Sequence, residues 1–386
     1  MEVKQIYSLI NSVSSEVLGK TDIVKEDLTG IVDLGTQVFN QNAVDNYVKS
    51  LVNHIGKVIF VNRPYAGKVP SVLMDAWEFG SVLEKVSAAL PEASENDTWD
   101  LENGQTYSQD VFYKPTVSAK FFNSKVTFEV PVSITERQVK ESFSNAEQLN
   151  GFLSMIYNAV DKSMTIKSDA LVMRTINNMV AETFKADAAA FDGDYTKAST
   201  NRCVNLLYLY NQKFGHSLTA DKAILDPDFI RYASYVMGMY SDRIGSISTL
   251  FNVGGQERFT PKDALHVVLL SDFAKAADTY LYSDTQHNEF VKLPAYESVP
   301  CWQASGMSYD FKDTSKILVK TSSGTDIEVS GVIGVMFDRD ALGVSNLDRR
   351  VTSNYNAKAE FFNNYFKFDA GYFNDTNENF VVFYVA

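Results

Sequence analysis

Residues 144–184, SNAEQLNGFLSMIYNAVDKSMTIKSDALVMRTINNMVAETF, decide the fold of this chain. Their apolar side chains recur at intervals of three and four residues, which places them along one face of a helix. The residues on that face are Leu149, Phe152, Leu153, Ile156, Val160, Met164, Leu171, Ile176 and Val180. Ser144 followed by Glu147 is a capping box, which marks a helix start. No proline lies between Pro131 and Pro227, so we predict one continuous helix of roughly 60 Å.

Two alternatives to a single long helix remain open. Residues 165–167 and the pair Asn177 and Asn178 are weak helix formers, so two shorter helices in phase are one alternative. A coiled coil is the other, although the apolar stripe is too loose for regular heptads. We expect the single helix.

The sequence before the long helix begins with two shorter helical patterns. Apolar positions from Ile6 to Val17 predict a helix that stops at Gly19, and those from Val44 to Ile55 predict another that stops at Gly56. Two amphipathic helices with no compact partner nearby are typical of an arm that packs on another part of the subunit or on a neighbour.

A long hairpin is predicted next. Residues 57–65 have the composition of a strand, and residues 125–134 alternate apolar and polar side chains with Pro131 among them, which indicates an edge strand. Between them, residues 86–113 contain six acidic residues and Trp99 but no lysine or arginine. Such a connection is either a functional loop or a solvated, mobile one.

The sequence after the long helix predicts a mixed region and then a returning sheet. Its predicted elements are a helix that begins at Val204, a helix at 229–244 with a start at Asp226 and Pro227, a strand at 265–270, a helix at 272–282 capped by Ser271, and strands at 317–319 and 327–337. Residues 355–386 hold eleven aromatic residues. They predict two strands joined by a turn at 374–379, which complete a sheet begun earlier, beside the long helix.

Composition excludes several classes of function. The chain has 386 residues, of which 45% are hydrophobic, so it is long enough to bury a large core. A net charge of −13 argues against a nucleic-acid reader, which needs a basic patch. Cys203 and Cys301 have no metal-like spacing. Together with the absence of a signal core or a transmembrane run, this predicts a soluble protein of a reducing cytoplasm.

Motifs that carry chemistry are weak in this sequence. Residues 253–259, VGGQERF, resemble the switch motif of small GTPases, but no phosphate-binding G-x-x-x-x-G-K-[ST] loop accompanies them, so we predict a glycine turn. The carboxylate pairs Asp192 with Asp194 and Asp338 with Asp340 suit solvated turns better than a cation site or an acid and base pair. The histidines, His54, His216, His266 and His287, are scattered, and His266 is expected to be a satisfied core residue. We predict no catalytic, cofactor-binding or metal-binding residues.

Four short segments near the C-terminus resemble major capsid proteins of tailed bacteriophages. They are GVMFDRDALG at 334–343, RRV at 349–351, YNA at 355–357 and FKFDAGY at 366–372. The predicted order of arm, hairpin, long helix, inserted domain and returning strands is also similar to the Hong Kong 97 capsid fold. The expected fold class is therefore α+β, with a peripheral domain and an inserted axial domain.

The resemblance implies a domain scheme. Residues 1–56 are expected to form the N-terminal arm. Residues 57–185 form the first part of the peripheral domain, with the extended loop at about 64–115 and the spine helix at about 144–184. Residues 186–344 form the axial domain, and residues 345–386 form the returning strands of the peripheral domain.

The resemblance also implies function and partners. The chain is expected to assemble as hexamers and pentamers into an icosahedral or prolate shell around phage DNA, made in the host bacterial cytoplasm. Expected partners are other copies of the chain, a separate scaffolding protein, the portal, head-decoration or tail-joining proteins and, non-specifically, the packaged DNA; no membrane is involved. Some relatives join subunits by a lysine to asparagine bond. Lys85 and Lys114 flank the loop, but no residue identifies a partner for them.

Two other functions remain as alternatives. Another virion protein, from a tail or an adhesion fibre, is also expected to be acidic and aromatic-rich, but usually shows repeats, which this sequence lacks. A cytoplasmic hydrolase with an acidic site would require Asp338 or Asp340 for turnover.

Overall fold

The structure is a computed structural model that describes residues 3–19, 69–74, 83–88, 117–135, 146–282, 293–303, 310–320 and 326–386, with isolated positions between 90 and 116. Side chains are described from Ile10 in the first helix and from Asn158 in the long one. The predicted helix at 44–55 and the strand at 57–65 lie outside these residues. No helix in the described ranges is long and apolar enough to cross a membrane.

The long helix is confirmed. Helix α1 covers Val3–Leu18 and ends at Gly19, whose φ of +66° is the left-handed stop that was predicted. Helix α2 covers Ala146–Ala186, 41 residues without a break. Its predicted apolar positions from residue 160 onward, Val160, Met164, Leu171, Ile176 and Val180, are all buried. Ser144, the first residue of the predicted capping box, lies outside the described residues.

The remaining helices are short, apart from two in the second half of the chain. They are α3 at Ala188–Phe191, α4 at Leu206–Phe214, α5 at Ala220–Ala223, α6 at Pro227–Ile244, α7 at Ser271–Tyr282 and α8 at Phe311–Thr314. The predicted start of α6 is confirmed, because one carboxylate oxygen of Asp226 accepts the N–H groups of Asp228 and Phe229 at 3.0 and 2.9 Å.

Thirteen strands are present in the described ranges. They are β1 at Leu73–Met74, β2 at Leu83–Ala88, β3 at Val117–Phe122, β4 at Lys125–Thr135, β5 at Cys203–Asn205, β6 at Leu265–Leu270, β7 at Glu297–Val299, β8 at Ile317–Lys320, β9 at Asp326–Val329, β10 at Val332–Asp338, β11 at Leu342–Asn356, β12 at Phe361–Asn374 and β13 at Phe380–Tyr384. Strands β2 and β3 form one two-stranded sheet, and β8 and β9 form another.

The chain divides into two compact units. The first comprises Met1–Glu78, Lys125–Arg174 and Val344–Gly371, and the second comprises Phe79–Ser124, Thr175–Gly343 and Tyr372–Ala386.

The first unit is built on a four-stranded sheet in the order β1-β11-β12-β4. Strand β4 is at an edge, as Pro131 predicted. Strand β12 runs antiparallel to it and buries every second residue, including Phe362, Phe366 and Phe368. The alternation of the aromatic C-terminal segment is therefore that of a strand with one buried face.

The second unit is built on a five-stranded sheet in the order β5-β13-β10-β6-β7. Helices α4, α6 and α7 contribute Leu207, Phe229 and Phe273 to the same buried cluster as Val267 of β6 and Phe383 of β13. The end of α2 lies beside this sheet, since the rings of Phe184 and Tyr384 are 5.1 Å apart.

Three predictions about strands are wrong. Val204 lies in strand β5 and not in a helix; Asn205 ends that strand and caps α4, because its side chain accepts the N–H of Tyr208 at 3.1 Å. Residues 327–337 form two strands and not one, because the chain turns at Gly331, whose φ is +81°. The last two strands, β12 and β13, join different sheets and do not complete a single one.

Candidate functional site at the base of a hairpin

Strands β2 and β3 form an antiparallel hairpin in the second unit. Lys85 pairs with Lys120 in its register, and Ala88 pairs with Val117, so residues 89–116 connect the two strands. A hairpin around the acidic stretch was predicted, but its strands were not. Strand β4, which was expected to form one side of it, pairs with β12.

The two faces of the hairpin differ in chemistry. One face carries Lys85, Ser87, Lys120 and other partly buried residues. The opposite face carries Val86, Val117 and Phe121, which are 60%, 58% and 63% exposed, together with the exposed Glu84. Because successive side chains of a strand point to opposite sides, the polar face is turned toward the body of its own unit while the apolar face meets solvent.

The polar face binds a pair of carboxylates in the turn between β12 and β13. Lys85 Nζ lies 3.0 Å from Asp375 Oδ2 and 2.7 Å from Glu378 Oε1, and it also donates to the backbone oxygen of Asp340 at 3.1 Å. Lys120 Nζ lies 2.9 Å from Asp375 Oδ1. The Asp375 side chain is only 3% exposed. Its two oxygens each bind one lysine, so one carboxylate joins both strands of the hairpin to the turn.

Glu378 extends this ion cluster to a third segment. Arg258 Nε lies 3.4 Å from Glu378 Oε1. The backbone N–H of Gly254 donates to Thr376 O at 2.8 Å, and that of Asp375 donates to Ala341 O at 2.7 Å. The turn at 375–378 is therefore held by the hairpin, by residues 254–258 and by Ala341, which follows β10.

The contacts within the cluster keep Asp375 and Lys85 charged. Burial raises the pKa of Asp375, but hydrogen bonds from Lys120, from the Asn377 N–H and from Lys85 outweigh it, so that this pKa lies below its ordinary value of 3.8. Burial lowers the pKa of Lys85, but hydrogen bonds to Glu378 and Asp375 outweigh it, so that this pKa lies above 10.5. Both groups are charged throughout the physiological range.

We expect the protection of the hairpin amides from hydrogen exchange to stay constant over a broad range of pH around neutrality. A depressed Asp375 pKa contributes stability above the unfolded value of 3.8, and this stability is lost as pH falls through the lower folded value. A raised Lys85 pKa contributes stability below the unfolded value of 10.5, and this stability is lost as pH rises through the higher folded value. Exchange measured over Leu83–Ala88, corrected for the intrinsic pH dependence, tests this. A transition near neutral pH would contradict it.

The GTPase-like segment is a structural turn. Gly255 has a φ of +62°, which confirms the predicted glycine turn. A Cβ atom at Gly254 would lie 2.0 Å from Asn377 Oδ1, so a larger residue there would displace the Asn377 side chain. Both glycines therefore shape the contact with the turn at 375–378.

The paired carboxylates do not converge on a cleft. Asp338 is buried and not solvated as predicted, because its oxygens accept the Thr260 hydroxyl at 2.7 Å and the Asp340 N–H at 2.8 Å. Asp194 lies in a solvated turn, where hydrogen bonds from Lys197 and from the Thr196 hydroxyl and N–H lower its pKa to about 2. In the described ranges no group of three histidine, cysteine, aspartate or glutamate residues is arranged to hold a metal ion.

The remaining candidates are structural where they are described. His216 stacks on the ring of Tyr210, with centroids 5.5 Å apart. His266 lies near Phe337, and its Nε2 is buried without a hydrogen-bond partner, so the prediction of a satisfied core histidine is wrong for that atom. Burial and the Asp187 carboxylate raise the pKa of Cys203 well above its usual range, which disfavours the reactive thiolate. His54 and His287 lie outside the described residues.

Sequence reasoning missed the ion cluster. Lys85 was noted only because it flanks the loop, and Asp375 and Glu378 were read as turn residues. Lys85 and Glu378 are 293 positions apart, so no local pattern connects them. The available signal was weak: Lys85 borders the cation-free stretch 86–113, whereas Lys120 follows it with Lys114 in between.

Comparison with known proteins places this fold in a class, the capsid subunits of phages with the Hong Kong 97-type fold. The chain is similar to a solved structure from bacteriophage P68, described as head fiber and inner core protein gp22 of the native phage. The TM-score is 0.50 at 10% identity, with 85% of this chain and 86% of that chain covered. The capsid structures of cyanophage P-SCSP1u and Staphylococcus phage Andhra match with TM-scores of 0.45 and 0.44, both at 10% identity. The match covers 85% of this chain and 90% of that chain for P-SCSP1u, and 84% and 86% for Andhra.

Residues 10–384 match the family model of the Phi29-like phage major capsid protein, so the chain belongs to this family. No curated protein matches the chain. The protein is therefore a structural component of the phage head shell, which associates with copies of itself in the virion capsid. The resemblance seen in the C-terminal segments is confirmed, as are the α+β fold class and the shell function.

Proposed function

We propose that this chain assembles as hexamers and pentamers into a closed icosahedral or prolate shell around packaged phage DNA, and that its hairpin lies on a neighbouring copy. One observation carries this proposal. The inner face of the hairpin is fixed to its own unit by the ion pairs of Lys85 and Lys120 with Asp375, whereas its outer face leaves Val86, Val117 and Phe121 exposed. An isolated two-stranded ribbon is marginal in water, and an exposed apolar ribbon face gains stability when it is covered.

The domain scheme remains part of the proposal. Residues 1–56 serve as an arm, residues 57–185 as the first part of a peripheral domain with the extended loop at about 64–115 and the spine helix at about 144–184, residues 186–344 as an axial domain, and residues 345–386 as returning strands. In this scheme the arm and the loop reach neighbouring copies and add buried area to each contact.

The proposed partners follow from the shell function. They are a separate scaffolding protein, a portal protein, head-decoration or tail-joining proteins and packaged DNA, which touches the inner face without sequence preference. A net charge of −13 favours weak contact with DNA, so that the genome enters and leaves without strong adsorption. Assembly takes place in the host bacterial cytoplasm and involves no membrane, and the chain has no enzymatic role.

The proposal is tested by particle size. The chain is expressed alone and then with a candidate scaffolding protein, and the products are measured by light scattering and negative-stain microscopy. Closed shells with fivefold vertices are expected. A stable monomer or dimer under both conditions would refute the proposed assembly.

Replacing Phe121 with serine is expected to reduce the yield of shells at least tenfold and to leave the thermal stability of the unassembled chain almost unchanged. The side chain is 63% exposed in the free subunit, so its loss costs little there but removes apolar area from the contact with a neighbour. Sedimentation measures the assembled fraction. Leu225, a similarly exposed residue outside the hairpin, provides the control Leu225→Ser. Equal yields for the two variants would count against a role of the hairpin face.

A further inference from the structure

A groove of about 620 Å³ lies in the second unit, between α5, α7 and the start of α8. Its volume is within the range of small-molecule sites in proteins, roughly 300–1,000 Å³. One side of α7 forms a wall of the groove, since the lining residues of this helix are 271, 272, 275, 276, 279 and 280. Nine residues of helix rise by about 14 Å, so the groove suits a long, narrow ligand better than a compact one.

Part of the lining is apolar. Ile224, at the end of α5, is buried, and Ala276 and Phe311 are partly buried against the core of the second unit. Leu225 also lines the groove and is 67% exposed. A ligand with a hydrocarbon chain therefore gains free energy in the groove, because it covers apolar surface that is otherwise in contact with water.

Three carboxylates line the groove as well. Asp221 lies in the first turn of α5 and is exposed. Asp272 and Asp310 both meet Thr314 of α8, since the Thr314 hydroxyl donates to Asp272 Oδ2 at 2.9 Å and the Thr314 N–H donates to Asp310 O at 3.0 Å. The lining therefore receives a carboxylate from α5, from α7 and from the start of α8.

The charge of the lining complements a cationic ligand. Lys275 also lines the groove, but its Nζ lies 3.5 Å from Asp278 Oδ2 and its side chain is 83% exposed, so this charge already has a partner outside the lining. The three carboxylates leave the groove with a negative charge. In the described ranges no three such groups are arranged to hold a metal ion. A ligand that pairs with these carboxylates must therefore carry its charges along an organic chain.

We propose that the groove binds a linear aliphatic polyamine, with its ammonium groups beside the carboxylates and its methylene groups on the apolar lining. The two parts of such a ligand act together, because exposed charge pairs alone are weak and the hydrocarbon between them adds the burial of apolar surface. A ligand that binds only the folded chain stabilises it by mass action. This inference concerns the unassembled chain and does not depend on the proposed function.

Titration calorimetry of the unassembled chain with two diamines tests the chemistry of the ligand. Octamethylenediamine is expected to bind at one site with a dissociation constant of about 1 mM or below. It should bind at least about fivefold more tightly than tetramethylenediamine, because its additional methylene groups cover apolar surface. Mg²⁺ has the same charge without the hydrocarbon and is expected to bind more weakly than either diamine. Equal affinities for the two diamines, or tighter binding of Mg²⁺, would overturn the proposal.

The double variant Asp221→Asn with Asp310→Asn locates the site. Asparagine is as good a helix cap as aspartate and removes only the charge. We expect the affinity for octamethylenediamine to fall about fivefold, the effect of losing two exposed charge pairs. Asp228→Asn with Asp242→Asn is the matched control, since it removes two exposed carboxylates outside the groove and changes the net charge equally. Equal losses of affinity in the two double variants would show that binding reports only the net charge, and would overturn the proposal.

A blocked tetrapeptide of lysine, leucine, leucine and lysine distinguishes a protein partner from a polyamine. It carries two ammonium groups and a larger apolar surface than either diamine. We expect it to bind more weakly than octamethylenediamine, since its backbone amides lose contacts with water in a narrow groove. Saturable binding of this peptide that is lost in Asp221→Asn with Asp310→Asn, without saturable binding of either diamine, would assign the groove to a protein segment and overturn the proposal.

Discussion

Replacing Asp375 with asparagine is expected to increase hydrogen exchange of the hairpin amides in Leu83–Ala88 and Val117–Phe122 about 100-fold. The Asp375 carboxylate is almost completely buried and binds Lys85 and Lys120 at 3.0 and 2.9 Å. The substitution removes two charge-assisted hydrogen bonds to a buried carboxylate. Each is worth about 1.5 kcal/mol, so together they contribute about 3 kcal/mol. At 1.4 kcal/mol for each factor of ten, this corresponds to about two orders of magnitude in local opening.

The matched control is Asp242→Asn. Asp242 pairs with Lys262 at 3.0 Å, but both side chains are exposed, and ion pairs of that kind contribute little. We expect less than a twofold change in hairpin exchange for this variant. Unchanged hairpin exchange in Asp375→Asn would show that the ion cluster does not hold the hairpin.

A double-mutant cycle separates the contribution of Glu378 from that of Asp375. Lys85→Met keeps most of the apolar stem of the side chain and removes its charge. Combined with Glu378→Gln, it is expected to cost less than the sum of the two single changes, because both remove the same 2.7 Å contact. Additive effects on hairpin exchange would mean that the two residues act independently.

Replacing Gly331 with alanine is expected to lower the free energy of unfolding of the second unit by at least about 3 kcal/mol. Gly331 has a φ of +81°, and a Cβ atom there would lie 2.0 Å from the backbone oxygen of Val385. The clash involves backbone on both sides. Relief of the clash requires displacement of the chain end, where the Val385 N–H donates to Gly331 O at 2.8 Å.

Gly193→Ala isolates the contribution of the clash. Gly193 also has a φ of +81°, but no atom lies within 4 Å of a Cβ atom placed there. We expect only the left-handed backbone cost of about 1–2 kcal/mol for this control. Trp302 reports the unfolding, because it is buried and its Nε1 donates to Val332 O at 2.7 Å, one residue from Gly331. Urea unfolding is followed by fluorescence after Trp77 and Trp99 are replaced by phenylalanine. Equal losses for the two glycine variants would contradict the clash.

Elements defined by neighbouring residues were predicted well. The long helix, the cap of α6 at Asp226 and strand β6 all depend on side chains within a few positions of each other. The shell function followed from short C-terminal motifs together with the order of elements. The three-residue strand β5 was missed because Cys203 and Val204 continue the apolar pattern of α4, and only pairing with β13 makes them a strand.

The candidate site could not be predicted from the sequence. The residues around a lysine do not reveal whether it meets a carboxylate from a distant part of the chain. In the same way, the local sequence of Asp375 is like that of any other aspartate in a turn. What makes Asp375 different is its burial beside two lysines that lie more than 250 positions earlier in the chain.

The sequence by itself determined the long helix, the start of α6 and the period of the strands, because each of these depends on spacing and residue type along the chain. The class of protein came from the resemblance of the C-terminal segments and the order of elements to known capsid proteins. The tertiary structure alone decided that β12 and β13 enter different sheets, and that one face of the hairpin is bound to its own unit while the other is exposed. It also decided that one buried turn joins the hairpin to the loop at 246–259. The physical reason is that an ion pair or a strand pairing gains its free energy from residues that are distant in sequence, and from the water that their contact excludes.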